Sequence, residues 1–129
     1  MIYLDTSVAL AQLLAEDTTP PPALWNETLV SSRLLEYEIW TRIHARELAA
    51  SHGEAARSLL SRVGLLALAT PVLDRALEPF AVPVRTLDAL HLASMDFLRA
   101  MGCPVRLASY DGRLSEAASR LGIESYPLA

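Results

Sequence analysis

The chain has 129 residues, 52% hydrophobic and 20% charged, with a formal net charge of −4 at pH 7. That is chain for one domain spanning residues 1–129, with enough apolar side chain to close one core, which excludes a second module and a disordered polymer. All eleven basic residues are arginine, so mechanisms built on a lysine (a Walker-type phosphate loop, a Schiff base, a kinase-type phosphate contact) are excluded too.

Met1 to Leu4 is an apolar run too short for a helix, and Asp5-Thr6-Ser7 behind it supplies capping residues, which predicts strand, tight turn and helix. Val8, Leu10, Leu13 and Leu14 then recur at helical spacing until Glu16 to Pro22 ends the element in a loop. Thr28-Leu29-Val30 predicts a second strand. Ser31 and Ser32 read as caps of a long helix running to a stop at Gly53, and a further helix from Glu54 to about Leu66 makes an antiparallel hairpin with it. Val72 to Leu77 predicts a short helix stopped by Pro79, and Thr86 caps a helix from Leu87 to Met101 closed by Gly102. Pro104 to Ala108 predicts a third strand, and Asp111 to Leu121 a helix stopped by Gly122. Ile123 to Leu128 predicts an edge strand, because Pro127 cannot donate to a ladder. Short apolar strands separated by helices imply an α/β fold, its mostly parallel sheet covered on both faces.

Cys103 is the single cysteine and can make neither an internal disulfide nor a thiolate zinc cluster. No stretch approaches the ~18 to 20 apolar residues of a bilayer crossing. The N-terminal MIYLDTSVAL lacks the basic and small-residue features of a secretion signal, so a cytoplasmic protein is expected.

In open α/β sheets the site lies beyond the carboxyl ends of the strands, which draws attention to Asp5 and Asp111. Either can equally be a helix cap, worth ~1 kcal/mol. Asp88 stands in a first helical turn, where a carboxylate also favours the helix dipole. Glu36 and Glu38 lie about 200° apart around one helix, so only one can face a given site, and the apolar pattern leaves the choice open.

Four motifs in order resemble the PIN-domain ribonucleases, and within them the toxin half of the VapBC toxin–antitoxin pairs. They are Leu4-Asp5-Thr6-Ser7, the run from Val30 to Glu38, the run from Arg85 to Ala93, and Ser109-Tyr110-Asp111-Gly112-Arg113-Leu114. Each alone is weak, while the four at these spacings cover nearly the whole chain. The resemblance implies a three-layer α/β/α fold and places the family's catalytic, metal-holding acids on Asp5, Glu38, Asp88 and Asp111, with Glu36 only flanking. It implies hydrolysis of RNA to 5′-phosphate and 3′-hydroxyl ends, a cognate VapB-like antitoxin and a homodimer.

Carboxylates ~4 Å apart repel by ~4 kcal/mol at an effective dielectric of 20, so such a cluster needs neutralising. All-oxygen donors suit Mg²⁺ or Mn²⁺. Thr6, Ser7 and Ser109 are candidate hydroxyl donors orienting the carboxylates. Arg33, Arg85 and Arg113 lie near the matched acids and are candidate RNA contacts, offsetting the unfavourable net charge. His91 falls in a matched motif without being one of its acids, which predicts a structural or substrate-side role. His44, His52 and Asp96 are expected at the surface. The apolar hairpin from Ser32 to Leu66, with Trp40, Leu59, Leu60 and Leu65, is the expected partner surface if its side chains exceed the needs of the core. Two other readings are a catalytically silent PIN-like protein-binding module and a phosphotransferase using Asp5 as nucleophile. Against the first, every acid is filled; against the second, Ser7 stands where a second aspartate is needed, and no lysine is present.

Overall fold

A computed structural model describes all 129 residues, and it opens as the sequence predicts, with strand β1 (Ile2–Leu4) turning at Asp5 into helix α1 (Thr6–Leu13). After the proline run the chain makes a short 3-10 helix, Pro22–Asn26, and then strand β2 (Leu29–Ser32). Helices α2 (Leu34–Ala45) and α3 (Ala49–Ser61) follow, then strand β3 (Val63–Leu66) and helix α4 (Thr70–Ala76). Helix α5 (Thr86–Ala100), strand β4 (Arg106–Ala108) and helix α6 (Gly112–Arg120) complete the order. The four strands pair in parallel in the order β3-β2-β1-β4. The result is the expected three-layer α/β/α architecture.

Because side chains alternate along a strand, β1 feeds two cores. Ile2 and Leu4 pack with Val8, Leu35, Ile39, Ile43 and Leu59 from α1, α2 and α3. Tyr3 points the other way, into Leu92 and Met95 of α5, Leu107, and Leu114 and Ala117 of α6. Burial of each large aliphatic side chain contributes ~1.5–3 kcal/mol, so truncating Leu4, which is fully buried at the centre, would cost ~2–5 kcal/mol.

Four expectations are corrected. The long helix from Ser32 to Gly53 is two helices: α2 ends at Ala45, Glu47 takes a positive φ of 55°, and Gly53 sits inside α3. Val63 to Leu66 is strand rather than helix tail, since it pairs with β2 along its length from Leu29↔Val63 to Ser32↔Leu66. Ser31 and Ser32 belong to β2, although Ser32 Oγ still accepts the Leu34 N–H at the start of α2. The last strand shrinks to one parallel bridge between Leu107 and Ser125. The glycine stops hold, Gly102 and Gly122 adopting φ of 86° and 81°, a region that costs other residues strain.

The hairpin's Trp40, Leu48, Leu60 and Leu65 pack against the first core. Of the hairpin's large apolar side chains Tyr37 stays exposed, and elsewhere Leu73 and Leu77 are exposed beside a hollow of about 720 Å³ formed by α4, the following loop and the start of α5. No helix is long and apolar enough to cross a membrane.

Candidate active site

With β4 and β2 on opposite sides of β1, the chain leaves β1 toward one face of the sheet through α1 and leaves β4 toward the other through α6. That reversal opens a crevice at the carboxyl ends of the two strands. A cleft of about 590 Å³ lies there, and Asp5, Glu38, Asp88 and Asp111 all line it. Residues from β1, α2, α5 and the β4–α6 turn, far apart in sequence, are thus brought to one place.

Asp5 occupies the cap position of α1, yet its carboxylate makes no capping bond to that helix. Its Oδ2 instead accepts from Ser7 Oγ at 2.6 Å and Ser109 Oγ at 2.7 Å, with only 7% of the residue exposed. The two serines are themselves fixed: Ser7 Oγ accepts the Tyr110 N–H and Ser109 Oγ the Asp111 N–H, each at 2.9 Å. Asp111 does cap, its Oδ1 accepting from the N–H groups of Arg113 at 2.9 Å and Leu114 at 3.3 Å. Capping and a site role therefore coexist, one oxygen for each, because Oδ2 faces Arg85 at 3.6 Å.

Glu38 rather than Glu36 enters the cleft. Its Oε1 accepts from Thr6 Oγ1 at 2.8 Å and lies 2.7 Å from His91 Nε2, whereas Glu36 turns outward and pairs with Arg33. His91 is buried and holds Tyr3 OH at 2.8 Å on its other nitrogen, a structural relay from the core to the cleft. Burial alone would strip its proton, but the Tyr3 oxygen and the Glu38 carboxylate outweigh it and push the pKa up to about 10.

Asp88 is held above the usual carboxylate range, first by burial, then by the charge of Asp111 and more weakly of Asp5, with Arg85 working against the shift. Arg85 Nε lies 3.4 Å from Asp88 and its other end reaches Asp111, so one guanidinium spans two carboxylates. Of the three candidate RNA arginines only Arg85 lines the cleft; Arg33 is committed to Glu36, and Arg113 does not reach it. Arg42 does line it and escaped the sequence reading, although its position one turn beyond Glu38 on α2 was the available signal. His44 and His52 lie away from the cleft, stacked on Trp40 and bonded to Ser51 respectively, and Asp96 ties α5 to Arg75 of α4.

The donor set is entirely oxygen and the cleft is over-supplied with negative charge, which suits a hard divalent cation. No three acidic or histidine side chains converge closely enough to enclose one ion. Mg²⁺ is commonly held by one or two carboxylates with waters filling the remaining positions, so the oxygen chemistry of these donors, and not a preformed cage, is what fits such an ion.

Comparison with known proteins places the chain in a family. Residues 2–119 match the PIN domain family. Ribonuclease VapC46 of Mycobacterium tuberculosis is 32% identical over 126 residues, an alignment covering 95% of this chain and 93% of the relative. Ribonuclease VapC47 of the same species is 30% identical over 129 residues, with the same coverage. Among solved structures, the crystal structure of Mycobacterium tuberculosis VapC20, described as a sarcin-ricin loop cleaving toxin, superposes with a TM-score of 0.66. It is 22% identical and covers 91% of this chain and 95% of its own, a likeness of fold.

Proposed function

The chain belongs to the PIN domain family, and on that premise we propose that it is a VapC-type toxin, a metal-dependent endoribonuclease that hydrolyses RNA phosphodiester bonds. The observation carrying this reading is the gathering of Asp5, Glu38, Asp88 and Asp111 around one cleft at the reversal point of the sheet. A silent binding module has no need of four carboxylates gathered on one cleft.

Asp5, with Asp88, Asp111 and Glu38 around it, is the set that would hold Mg²⁺ or Mn²⁺. Such an ion, when bound, lowers the pKa of water and neutralises charge on the phosphate. The protein's own contribution is orientation. Ser7 and Ser109 fix the outer oxygen of Asp5, the first turn of α6 fixes Asp111, and Thr6 with His91 fixes Glu38. Asp88, met by Arg85 at 3.4 Å, brings the carboxylate of the first turn of α5 to the same cleft. Arg85, two-thirds exposed at the rim, is placed to exchange its carboxylate partners for an RNA phosphate. In this reading a cognate VapB-like antitoxin silences the cleft, and a second copy of the chain completes a homodimer.

The test is cleavage of RNA by the purified chain with Mn²⁺ or Mg²⁺, its loss in EDTA, and its loss in Asp5→Asn with the fold preserved by circular dichroism. Cleavage by Asp5→Asn at the wild-type rate would assign the activity to something else and end this reading.

A further inference from the structure

The acidic cleft does not stop at its acids. A second hollow, of about 340 Å³, opens from it along α2 and shares Thr6, Leu10, Glu38, Arg42 and Leu87 with it. Its remaining wall is Leu34, Tyr37 and Thr41. On this helix Tyr37 and Thr41 form one row and Glu38 and Arg42 the next, each pair spaced i, i+4, so that both rows face the same groove.

Two features of this wall are unused by the fold. Tyr37 is 63% exposed, a large aromatic ring left in water on a surface next to the cleft. Arg42 stands four residues after a glutamate, the spacing at which such pairs ordinarily meet, yet Glu38 is turned inward to Thr6 and His91. The guanidinium of Arg42 makes no ion pair, and of the arginines without one it alone lines the cleft. A free planar cation in a cleft of carboxylates suits an anion with two adjacent acceptor oxygens, and the exposed ring beside it suits a flat aromatic face.

We propose that Arg42 and Tyr37 form a nucleotide subsite adjoining the reaction centre, the guanidinium holding a phosphate next to the scissile one and the ring stacking a base of single-stranded RNA. The inference rests on the ribonuclease reading and adds to it the strand's direction of exit, along α2. Single-stranded substrate follows from the ring, because only an unpaired base can offer its face to a side chain.

The experiment separates this subsite from the acids. Steady-state cleavage of a fluorescent single-stranded RNA gives a KM about tenfold higher for Arg42→Ala, with kcat changed by about twofold or less. Tyr37→Ala weakens substrate binding about fivefold or more, and Tyr37→Phe, which keeps the ring, restores it. Binding of the same RNA to the cleavage-deficient Asp5→Asn chain is then followed against salt. Adding Arg42→Ala lowers the slope of log K against log salt by about 0.7, the release expected for one lost phosphate contact on a single strand. Arg46→Ala, which removes the same charge one turn further on and outside the groove, leaves both KM and slope unchanged. If Arg42→Ala behaves like Arg46→Ala while Asp5→Asn abolishes cleavage, the subsite is refuted and the nuclease stands. If the wild-type chain neither binds nor cuts RNA, both fall together.

Discussion

His91→Gln tests whether the relay from Tyr3 to Glu38 carries a proton in the folded protein. The substitution removes the imidazolium charge from Glu38 and leaves the Tyr3 hydroxyl, in a fully buried residue, without its 2.8 Å partner. A hydrogen bond to a charged group contributes ~1.5–3 kcal/mol and a stranded buried hydroxyl costs ~1–3 kcal/mol; glutamine recovers part of the first, leaving a net loss of roughly 2–4 kcal/mol. An unfolding entropy of about 2.1 cal/mol/K per residue gives about 0.27 kcal/mol/K for this chain, so Tm falls by roughly 7–15 °C at pH 6. Because the folded pKa, about 10, lies above the unperturbed 6.5, the bound proton stabilises the fold fully below pH 6.5. That contribution is lost as pH rises toward 10 and beyond. Thermal melts of both proteins at pH 6, 8 and 10, followed by far-ultraviolet circular dichroism, should show the gap narrowing as pH rises. A gap of constant size across that range would mean that His91 is neutral in the fold, and the account of how Glu38 is held would be wrong.

Mn²⁺ at a hundredfold above its Kd should stabilise the wild-type chain by ~2.7 kcal/mol, about 10 °C in a thermal-shift assay, and Asp5→Asn should lose that response. Arg85→Ala removes the cation that spans Asp88 and Asp111, so calorimetric titration should find tighter metal binding than in the wild type, while the metal-free protein melts lower at low salt. Ser109→Ala deletes one of the two hydroxyls on Asp5 Oδ2 and should cost about 10- to 100-fold in metal affinity or cleavage rate. Glu38→Gln should lose cleavage and Glu36→Gln retain it, since only the first faces the cleft; equal loss in RNA cleavage assays would undo that distinction.

The sequence by itself settled several features that depend on neighbours along the chain, though not the helix stop expected at Gly53. Asp111 caps α6 because its side chain reaches the N–H groups two and three residues on, and Gly102 and Gly122 end helices because they accept positive φ. The apolar run before Asp5 marked β1 as a short strand, and the resemblance carried by four motifs in order named the candidate site. What local pattern could not decide was anything fixed by a distant partner. Val63 to Leu66 is an apolar run that reads equally as helix or strand until β2 lies beside it, and the break at Glu47 has no glycine or proline to announce it. Glu36 and Glu38 were equivalent in the apolar pattern, and only the family resemblance separated them. Thr6 from α1 and His91 from α5 select Glu38, and by holding it inward they release Arg42 into the cleft. Those choices belong to the tertiary structure because a carboxylate takes its direction from the donors packed around it, and the chain's order does not say which donors those will be.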